Sequence, residues 1–385
     1  MADRPRFSEK ASFVTGDLGN QLLKLMPIGM RTEMSAIRHS VVAFNDSEWE
    51  TMKERYRYSP ERYSNTFLFS FKGREEDPRE YHFAVGDHAA QFGSQVKLQG
   101  EDKYEYKYWA GLLISQLLSL FPDGHSHVVM ALAHPTRSVG QRDIMGLSTI
   151  GRHYVTLPSG KEVKFTVREM VPWDEPVGGL VRWSESLQAT YNSLDLDEGS
   201  QVMVLDIGGG ITSFTHVFVD RDKKKKKIVF NPVYEETTSP SFDLGIQSVM
   251  DRLRAELLKN VPQFAGMKRI PNSMLESGIR NGVIKVSNEP VNVSAQVKLA
   301  QTQLLDSISG MYANYMQSGR PYNAIICTGG GMYSMFETLK NQILAHKFVY
   351  SATGDELSNI HFANLQGGDE IFRQWIQREK TGDGA

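Results

Sequence analysis

Two copies of an Asp-x-Gly motif, about half a chain apart, restrict the fold of this sequence more than any other feature. Asp17-Leu18-Gly19-Asn20 lies at the end of a predicted strand at 12–17, and Asp206-Ile207-Gly208-Gly209-Gly210 follows a predicted strand at 201–205. The two aspartates are 206 − 17 = 189 residues apart in a chain of 385. Solenoid repeats are far shorter, at roughly 20–50 residues. The spacing therefore predicts two related α/β domains.

The hydrophobic pattern around both motifs alternates between strands and helices. In the first half it predicts strands at 12–17, 21–28, 38–44, 127–133 and 163–171 and helices at 108–121 and 178–191. In the second half it predicts strands at 201–205, 211–219, 228–234, 323–328 and 359–364 and helices at 246–257, 297–315, 332–346 and 371–376. Residues 45–79 are polar and aromatic, which favours an insertion at the edge of the first domain.

Each Asp-x-Gly turn has the chemistry of a phosphate-binding loop. Glycine has no Cβ, so backbone N–H groups can approach phosphate oxygens closely. Asp17 and Asp206 can each hold a hydrated Mg²⁺ through its water shell, and Lys24 can neutralise a phosphate. A single Asp-x-Gly is more often an ordinary turn or a helix N-cap, and it also occurs at Asp197 and Asp243. Two copies between paired strands favour the phosphate interpretation.

Two further segments carry candidate chemistry. Gly329, Gly330 and Gly331 follow a predicted strand and precede a predicted helix. These glycines can let a flat ligand or a phosphate lie on the backbone, or they can serve close packing of the strand on the helix. Glu175 precedes another predicted helix, where its carboxylate either complements the helix dipole or orients a water on a terminal phosphate. The residues alone leave both alternatives open.

Other site chemistries fit the sequence poorly. It contains neither a P-loop nor a Rossmann fingerprint. The chain has one cysteine, Cys327, so it can form neither an intrachain disulfide nor a zinc site built from cysteines. Cys327 is interpreted as a small buried residue. His125 and His127 are interpreted as turn residues rather than a metal site, and the lysines at 223–227 as a solvated hairpin turn.

Charge and hydropathy restrict the partners. A net charge of −2 argues against nucleic-acid binding by the surface as a whole. Residues 1–10 lack the apolar region of a secretory signal. No apolar stretch reaches the ~20 residues of a membrane span. We therefore expect a cytoplasmic protein with no membrane partner.

Taken in order, these segments resemble the actin-like ATPase superfamily over the whole chain. The segments that resemble its first phosphate, first connecting, second phosphate, adenosine and second connecting motifs are 17–24, 175–179, 206–212, 325–331 and 359–368. Asp-Leu-Gly-Asn at the start and Ala-Asn-x-x-Gly at the end most resemble the prokaryotic ParM/StbA group, the plasmid-segregating actins. The resemblance implies two ribonuclease-H-like domains around a nucleotide cleft. Domain I would span 1–175 with a closing helix at 366–385, and domain II would span 176–365.

The resemblance also implies a site and a function. Glu175 would be the catalytic residue that positions the attacking water, and ATP or ADP with Mg²⁺ would be the cofactors. The residues that would bind the nucleotide are Asp17, Gly19, Asn20, Lys24, Asp206, Gly208, Gly209, Gly210, Thr212, Gly329, Gly330 and Gly331, with Asp17 and Asp206 holding the metal through water. The implied protein is an ATPase that self-associates into filaments and moves or segregates DNA, such as a plasmid, through a DNA-binding adaptor.

Other functions within the superfamily stay open. The chain can be a small-molecule kinase, or a regulatory scaffold that binds nucleotide without turnover. A heat-shock-type chaperone is disfavoured, because only 385 − 368 = 17 residues follow the second connecting segment. Ser213 is a departure, since many members have Asp at this place, and 45–79 has no obvious counterpart. The candidate contact regions of a filament are therefore the insertion at 45–79 and the lysine hairpin at 223–227.

Overall fold

The structure is a computed structural model that describes residues 10–19, 22–31, 33–60, 66–72, 80–86, 89, 106–134, 139–186, 196, 198–222, 227–233, 239, 241–316, 322–343, 349–354 and 357–381. Contacts within the chain divide it into two units, Met1–Val181 with Asn364–Ala385, and Arg182–Ala363. The predicted domain limits of 1–175 with 366–385, and 176–365, remain a prediction.

The first unit contains strands and helices in alternation. Its described strands are β1 (Ser12–Leu18), β2 (Leu22–Pro27), β3 (Ser35–Arg38), β4 (Val41–Phe44), β5 (Thr66–Phe71), β6 (Tyr81–Gly86), β7 (His125–His134), β8 (Gly151–Thr156) and β9 (Glu162–Asp174). Its described helices are α1 (Asp46–Tyr58), α2 (Tyr106–Leu120) and α3 (Val139–Thr149), and α4 (Glu175–Ser186) continues into the second unit.

These strands form one mixed sheet in the order β3-β2-β1-β7-β9-β8-β5-β6-β4. β1 and β2 are an antiparallel hairpin, whereas β1, β7 and β9 run parallel to one another. Because neighbouring parallel strands end at the same side of a sheet, the last residues of β1, β7 and β9 lie along one edge. This carboxyl edge carries the candidate residues of the first unit.

The second unit is described by the same kinds of element. Its described strands are β10 (Gln201–Ile207), β11 (Thr212–Asp222), β12 (Lys227–Pro232), β13 (Ser241–Phe242), β14 (Val283–Val286), β15 (Glu289–Asn292), β16 (Ala324–Thr328) and β17 (Val349–Ser351). Its described helices are α5 (Ile246–Asn260), α6 (Asn272–Asn281), α7 (Ser294–Met316) and α8 (Met332–Ile343). A last helix, α9 (Ala363–Thr381), returns the chain to the first unit.

The main sheet of the second unit repeats the strand order of the first. The order β12-β11-β10-β16-β17 corresponds, strand for strand, to β3-β2-β1-β7-β9. β10 and β11 again form an antiparallel hairpin, and β10, β16 and β17 again run parallel. The strand order thereby confirms the duplication that the two Asp-x-Gly motifs predict.

Helices cover both faces of the first sheet. On one face α2 buries Trp109, Leu113 and Leu117 in the same apolar cluster as residues of β1 and β7. On the other face α9 buries Phe372 in a cluster with β7 and β9. α9 also carries Asp369, a fully buried residue whose Oδ1 accepts a hydrogen bond of 2.9 Å from the Gly29 backbone N–H. A buried carboxylate therefore ties the closing helix to the turn after β2.

One predicted element is wrong. Residues 359–364, predicted as a strand, lie in a 3-10 helix (Leu357–Phe362) and in the first turn of α9. A short apolar run does not distinguish a strand from a buried helical turn by periodicity alone. The tertiary structure decides here, because Ile360, Ala363 and Leu365 are all buried.

The region after β3 also differs from the prediction. Residues 38–44, predicted as one strand, contain the end of β3 and all of β4, and these pair with different strands, β2 and β6. The predicted insertion at 45–79 contains α1 and β5 and lies at the β4 end of the sheet order. α1 begins with a capping box, in which Asn45 and Glu48 exchange side-chain-to-backbone hydrogen bonds. Among the described residues, no helix is both long and apolar enough to cross a membrane.

Candidate functional site

The first Asp-x-Gly turn contains a buried ion pair. Asp17 on β1 and Lys24 on β2 are directly opposite each other in the antiparallel register. Lys24 Nζ lies 2.5 Å from Asp17 Oδ2, and the two residues are only 9% and 2% exposed. The ammonium of Lys24, which the sequence predicts to neutralise a phosphate, is therefore paired in this structure with Asp17 of its own hairpin.

The backbone after Asp17 is held by a histidine that sequence reasoning missed. His39 lies between β3 and β4, and its Nδ1–H donates a hydrogen bond of 3.0 Å to the carbonyl oxygen of Gly19. A Cβ at Gly19 would lie 3.0 Å from the carbonyl oxygen of Leu22, so only glycine fits without movement. Asn20, a predicted nucleotide-binding residue, lies outside the described residues.

The second Asp-x-Gly turn is a closed loop supported by a helix N-terminus. Gly208 N–H donates to the Ile211 carbonyl at 2.8 Å. The carbonyls of Gly208 and Gly209 in turn accept hydrogen bonds from Ile246 N–H, at 3.1 Å, and from Gln247 N–H, at 2.8 Å. Because these are N–H groups of the first turn of α5, the loop satisfies donors that a helix leaves unpaired.

Gly245 makes this support sterically feasible. A Cβ at Gly245 would lie 2.7 Å from the Gly208 carbonyl oxygen and 2.8 Å from that of Gly209. Gly245 is also the N-cap residue of α5. In Asp243-Leu244-Gly245, the residue that opens α5 is therefore the glycine and not the aspartate. This fourth Asp-x-Gly, at Asp243, was the sequence signal that could have revealed the support.

Thr212 is directed into the protein rather than outward. The residue is fully buried, and its Oγ1–H donates a hydrogen bond of 2.5 Å to the Leu244 carbonyl. The bond joins the first residue of β11 to the residue that precedes Gly245. Thr212 therefore helps to hold the second loop against α5.

The glycines after β16 differ in their surroundings. Gly329 has a left-handed φ of +94°, and a Cβ there would overlap Asp206 Oδ1. Gly331 donates its N–H to the Ile207 carbonyl at 2.9 Å, and a Cβ there would lie 2.6 Å from Ile207 Cγ2. Gly330, in contrast, is exposed, and its nearest neighbour would be His361 Cβ at 3.9 Å. Of the three, Gly330 is the position with room for a ligand.

Glu175 is the first residue of α4, directly after the last residue of β9. That last residue, Asp174, pairs with His134 at the end of β7, with 3.1 Å between His134 Nε2 and Asp174 Oδ1. One turn later, a Cβ at Gly178 would overlap the Asn364 carbonyl oxygen. The start of α4 is therefore confined by β7 on one side and by α9 on the other.

Parallel registers place the predicted residues on two sheet edges. In the first unit, Asp17 and Glu175 belong to the carboxyl edge formed by β1, β7 and β9. In the second unit, Asp206 pairs with Thr328, so its loop and the Gly329–Gly331 turn leave the sheet side by side. Each unit thus presents its motif aspartate, followed by a glycine turn, at the carboxyl edge of its sheet.

His125 and His127, interpreted from the sequence as turn residues, lie instead in β7, at the end opposite to the carboxyl edge. His125 Nδ1 accepts a hydrogen bond of 3.1 Å from the His127 backbone N–H, so Nε2 carries the proton and donates to Ser12 Oγ at 2.8 Å. Burial, then Arg168, then His125 lower the pKa of His127. In the part of the chain that is described, no three His, Cys, Asp or Glu side chains are placed to hold a metal directly. Burial also raises the pKa of Cys327, which fits a structural rather than a nucleophilic thiol.

Comparison with known proteins gives a result at the level of structure. No protein-family model and no curated protein matches this sequence. Among solved structures, a 15-stranded ParM filament from Clostridium botulinum superposes with a TM-score of 0.69 at 16% identity, covering 95% of this chain and 99% of that one. Actin-like protein Alp7A gives 0.66 at 13% identity, with 97% and 99% covered. Ta0583, an archaeal actin homologue in complex with ADP, gives 0.64 at 14% identity, with 94% and 99% covered.

The chain has the actin-like fold. This confirms the predicted fold class and the resemblance to ParM and its relatives. At 13–16% identity the likeness shows the fold alone.

Proposed function

We propose that this chain is a nucleotide-dependent, filament-forming actin-like ATPase. The observation that carries the proposal is the repetition of one local arrangement in both units. Asp17 and Asp206 each lie near the end of the first strand of a hairpin, beside a parallel third strand, and each is followed by a glycine turn. In each unit, a carboxylate beside a glycine turn at the edge of a sheet, with close backbone approach, suits the phosphates of a nucleotide.

Phosphate would be bound by the Asp17–Gly19 turn, with Asn20, and by the loop 208–210. The N-terminus of α5 donates into the back of the second loop, so its dipole favours an anion on that side of the molecule. Adenosine would lie on the exposed Gly330, while Gly329 and Gly331 keep this turn packed on β10. Ta0583, which has a similar fold, was solved in complex with ADP, and this supports a nucleotide as the ligand of this chain.

Mg²⁺ fits the donor set as a hydrated ion. Among the described residues no direct cluster of ligands exists, while Asp17 and Asp206 are single carboxylates next to the glycine turns. Mg²⁺ usually keeps several waters and is held by one or two carboxylates with substrate phosphates. Both aspartates would therefore hold it through water, and the ion would supply neutralisation of the phosphate charge.

Glu175 would orient the attacking water. Its place at the N-terminus of α4, after the end of β9, puts a carboxylate at the carboxyl edge that also carries Asp17. A water-orienting side chain is the recurrent requirement of phosphoryl transfer to water, because positioning does most of the catalysis. The expected reaction is hydrolysis of ATP to ADP and phosphate.

The bound nucleotide would control whether the chain self-associates. A head-to-tail contact that does not close into a ring produces an open filament, and a ligand favours the assembling conformation only by its differential affinity for it. The ParM filament among the structural neighbours supports this part of the proposal. A cytoplasmic filament that moves a plasmid or similar DNA through a DNA-binding adaptor would follow from the same likeness.

Pelleting and light scattering with ATP, with ADP and without nucleotide test the assembly, and phosphate release with and without EDTA tests the hydrolysis. We expect assembly with ATP and Mg²⁺, and slow phosphate release that EDTA abolishes. As a site control, Asp206→Ala should lose Mg²⁺-dependent affinity for ATP in calorimetric titration. A chain that binds ATP but stays monomeric at high concentration would contradict the filament proposal and favour the scaffold alternative.

A further inference from the structure

We propose that His134 and Asp174 form a positioning pair that holds Glu175 in place for hydrolysis; the inference rests on the proposed ATPase function. Neither side chain belongs to a predicted motif, yet both lie at the carboxyl edge of the first sheet. They are register partners on β7 and β9, their side chains are 11% and 19% exposed, and Nε2 and Oδ1 lie 3.1 Å apart.

The pair acts on Glu175 through the backbone. Asp174 is the last residue of β9, and Glu175 is the first residue of α4, so the chain changes from strand to helix between them. The 3.1 Å contact between His134 Nε2 and Asp174 Oδ1 ties this change of direction to β7, a central strand with parallel neighbours on both sides. Without the pair, the end of β9 would lose a side-chain anchor directly before Glu175.

A second anchor lies on the other side of Glu175. Gly178 packs so closely on the Asn364 carbonyl and on Trp173 that a Cβ would overlap the carbonyl and lie 2.6 Å from Trp173 Cζ3. Between them, the His134–Asp174 pair and this contact define where the first turn of α4 begins. Such precision matters, because a displacement of about 1 Å in a positioned group can cost about a hundredfold in rate.

Histidine suits this role chemically. Nε2–H donates to a carboxylate when the ring is neutral in that tautomer and also when it is protonated. The planar ring has few rotamers, so it fixes the carboxylate with a single bond. The role assigned to His134 is therefore positioning, and no proton transfer to the substrate is assigned to it.

Variants that remove the His134–Asp174 contact should slow the chemical step alone. We expect His134→Ala and Asp174→Ala to lower kcat by about ten- to a hundredfold, with KM and the Kd for ATP within about twofold of wild type. His134→Gln and Asp174→Asn keep a donor and an acceptor, so they should retain most of the turnover. The double alanine variant should be no slower than either single variant, because the two residues act as one unit.

A second His–Asp pair of similar geometry provides the control. His82 Nε2 lies 3.2 Å from Asp46 Oδ1, in the same unit but at the β4 end of the sheet. Because this pair is remote in the sheet order from β9, His82→Ala should leave kcat unchanged. Thermal unfolding of both alanine variants shows whether a loss of stability accompanies the loss of turnover.

The outcomes separate this inference from the proposed function. A wild-type chain that hydrolyses no ATP overturns both. If the wild-type chain hydrolyses ATP and His134→Ala is equally fast, the positioning role alone is overturned. The same holds if His134→Ala loses affinity for ATP by the same factor as it loses turnover. If an alanine variant does not fold, His134→Leu and Asp174→Leu, which fill the volume without the hydrogen bond, carry the same expectation.

Discussion

Replacing Lys24 with methionine tests whether its charge serves Asp17 or a phosphate. Methionine keeps an unbranched apolar stem of similar length but removes the ammonium that lies 2.5 Å from Asp17 Oδ2. Since both residues are almost fully buried, the variant leaves a buried carboxylate without its cationic partner. Removing one partner of a buried pair costs about 3–5 kcal/mol. Domain stabilities are about 5–15 kcal/mol, so this loss would be a large part of the free energy of unfolding.

Native-state hydrogen exchange of the β1 and β2 amides in increasing urea measures this loss within the first unit. The double variant Lys24→Met/Asp17→Leu should recover most of it, because replacing a whole buried pair with apolar residues is often close to neutral. An exposed pair is the control. Lys161 and Asp123 have side chains 48% and 86% exposed, so Lys161→Met should cost less than about 1 kcal/mol.

Equal losses of stability in Lys24→Met and Lys161→Met would refute a structural role for the Lys24 charge. Should Lys24→Met be no more destabilising than Lys161→Met, the Asp17–Lys24 pair would not be holding the hairpin together. If that stable variant also lost affinity for ATP, Lys24 would serve a phosphate, as the sequence alone predicts. A destabilised single variant and a recovered double variant would instead assign the charge to Asp17.

Four further substitutions have definite expected outcomes. Gly367→Ala would place a Cβ on the carbonyl of Gly178, so it should lower the melting temperature sharply. A Cβ at Gly310 would have no neighbouring atom within 4 Å, so Gly310→Ala should stabilise α7 by about 0.5–1 kcal/mol in urea unfolding. Glu175→Ala should bind ATP normally but release phosphate about 10²-fold more slowly, and equal turnover would remove its assigned role. Burial is the main cause of the lowered pKa of His127, so the folded chain favours the neutral imidazole. The contribution of His127 to the free energy of unfolding is therefore present above about pH 6.5 and is lost as the pH falls through the folded pKa. His127→Gln should make the urea midpoint less dependent on pH over that range, and an unchanged pH profile would contradict this.

The sequence predicts the repeated hairpins well because their signal is local. An apolar strand that ends in Asp-x-Gly and is followed by a second strand specifies its own turn, and β1–β2 and β10–β11 both form as expected. The same holds for α2, whose apolar positions recur at helical spacing. Strand or helix type and local order follow from such periodic segments.

Features set by distant contacts escape the sequence. The partner of Lys24 follows from strand register, and the need for Gly245 follows from the approach of α5 to a loop that is more than thirty residues earlier. The helical turn at 359–364 depends on burial by neighbours that periodicity does not reveal. His134 and Asp174 meet because β7 and β9 are parallel and in register, and 134 and 174 carry no shared motif.

The two bonds between the second glycine loop and α5 also give the protein a built-in reporter. The N–H groups of Ile246 and Gln247 donate to Gly208 and Gly209 rather than to carbonyls within their own helix. Their exchange with deuterium therefore requires the loop to leave the helix, while exchange deeper in α5 requires the helix itself to open. Deuterium uptake at these two amides consequently records the order of the loop separately from the stability of the helix, without an attached probe or a substitution.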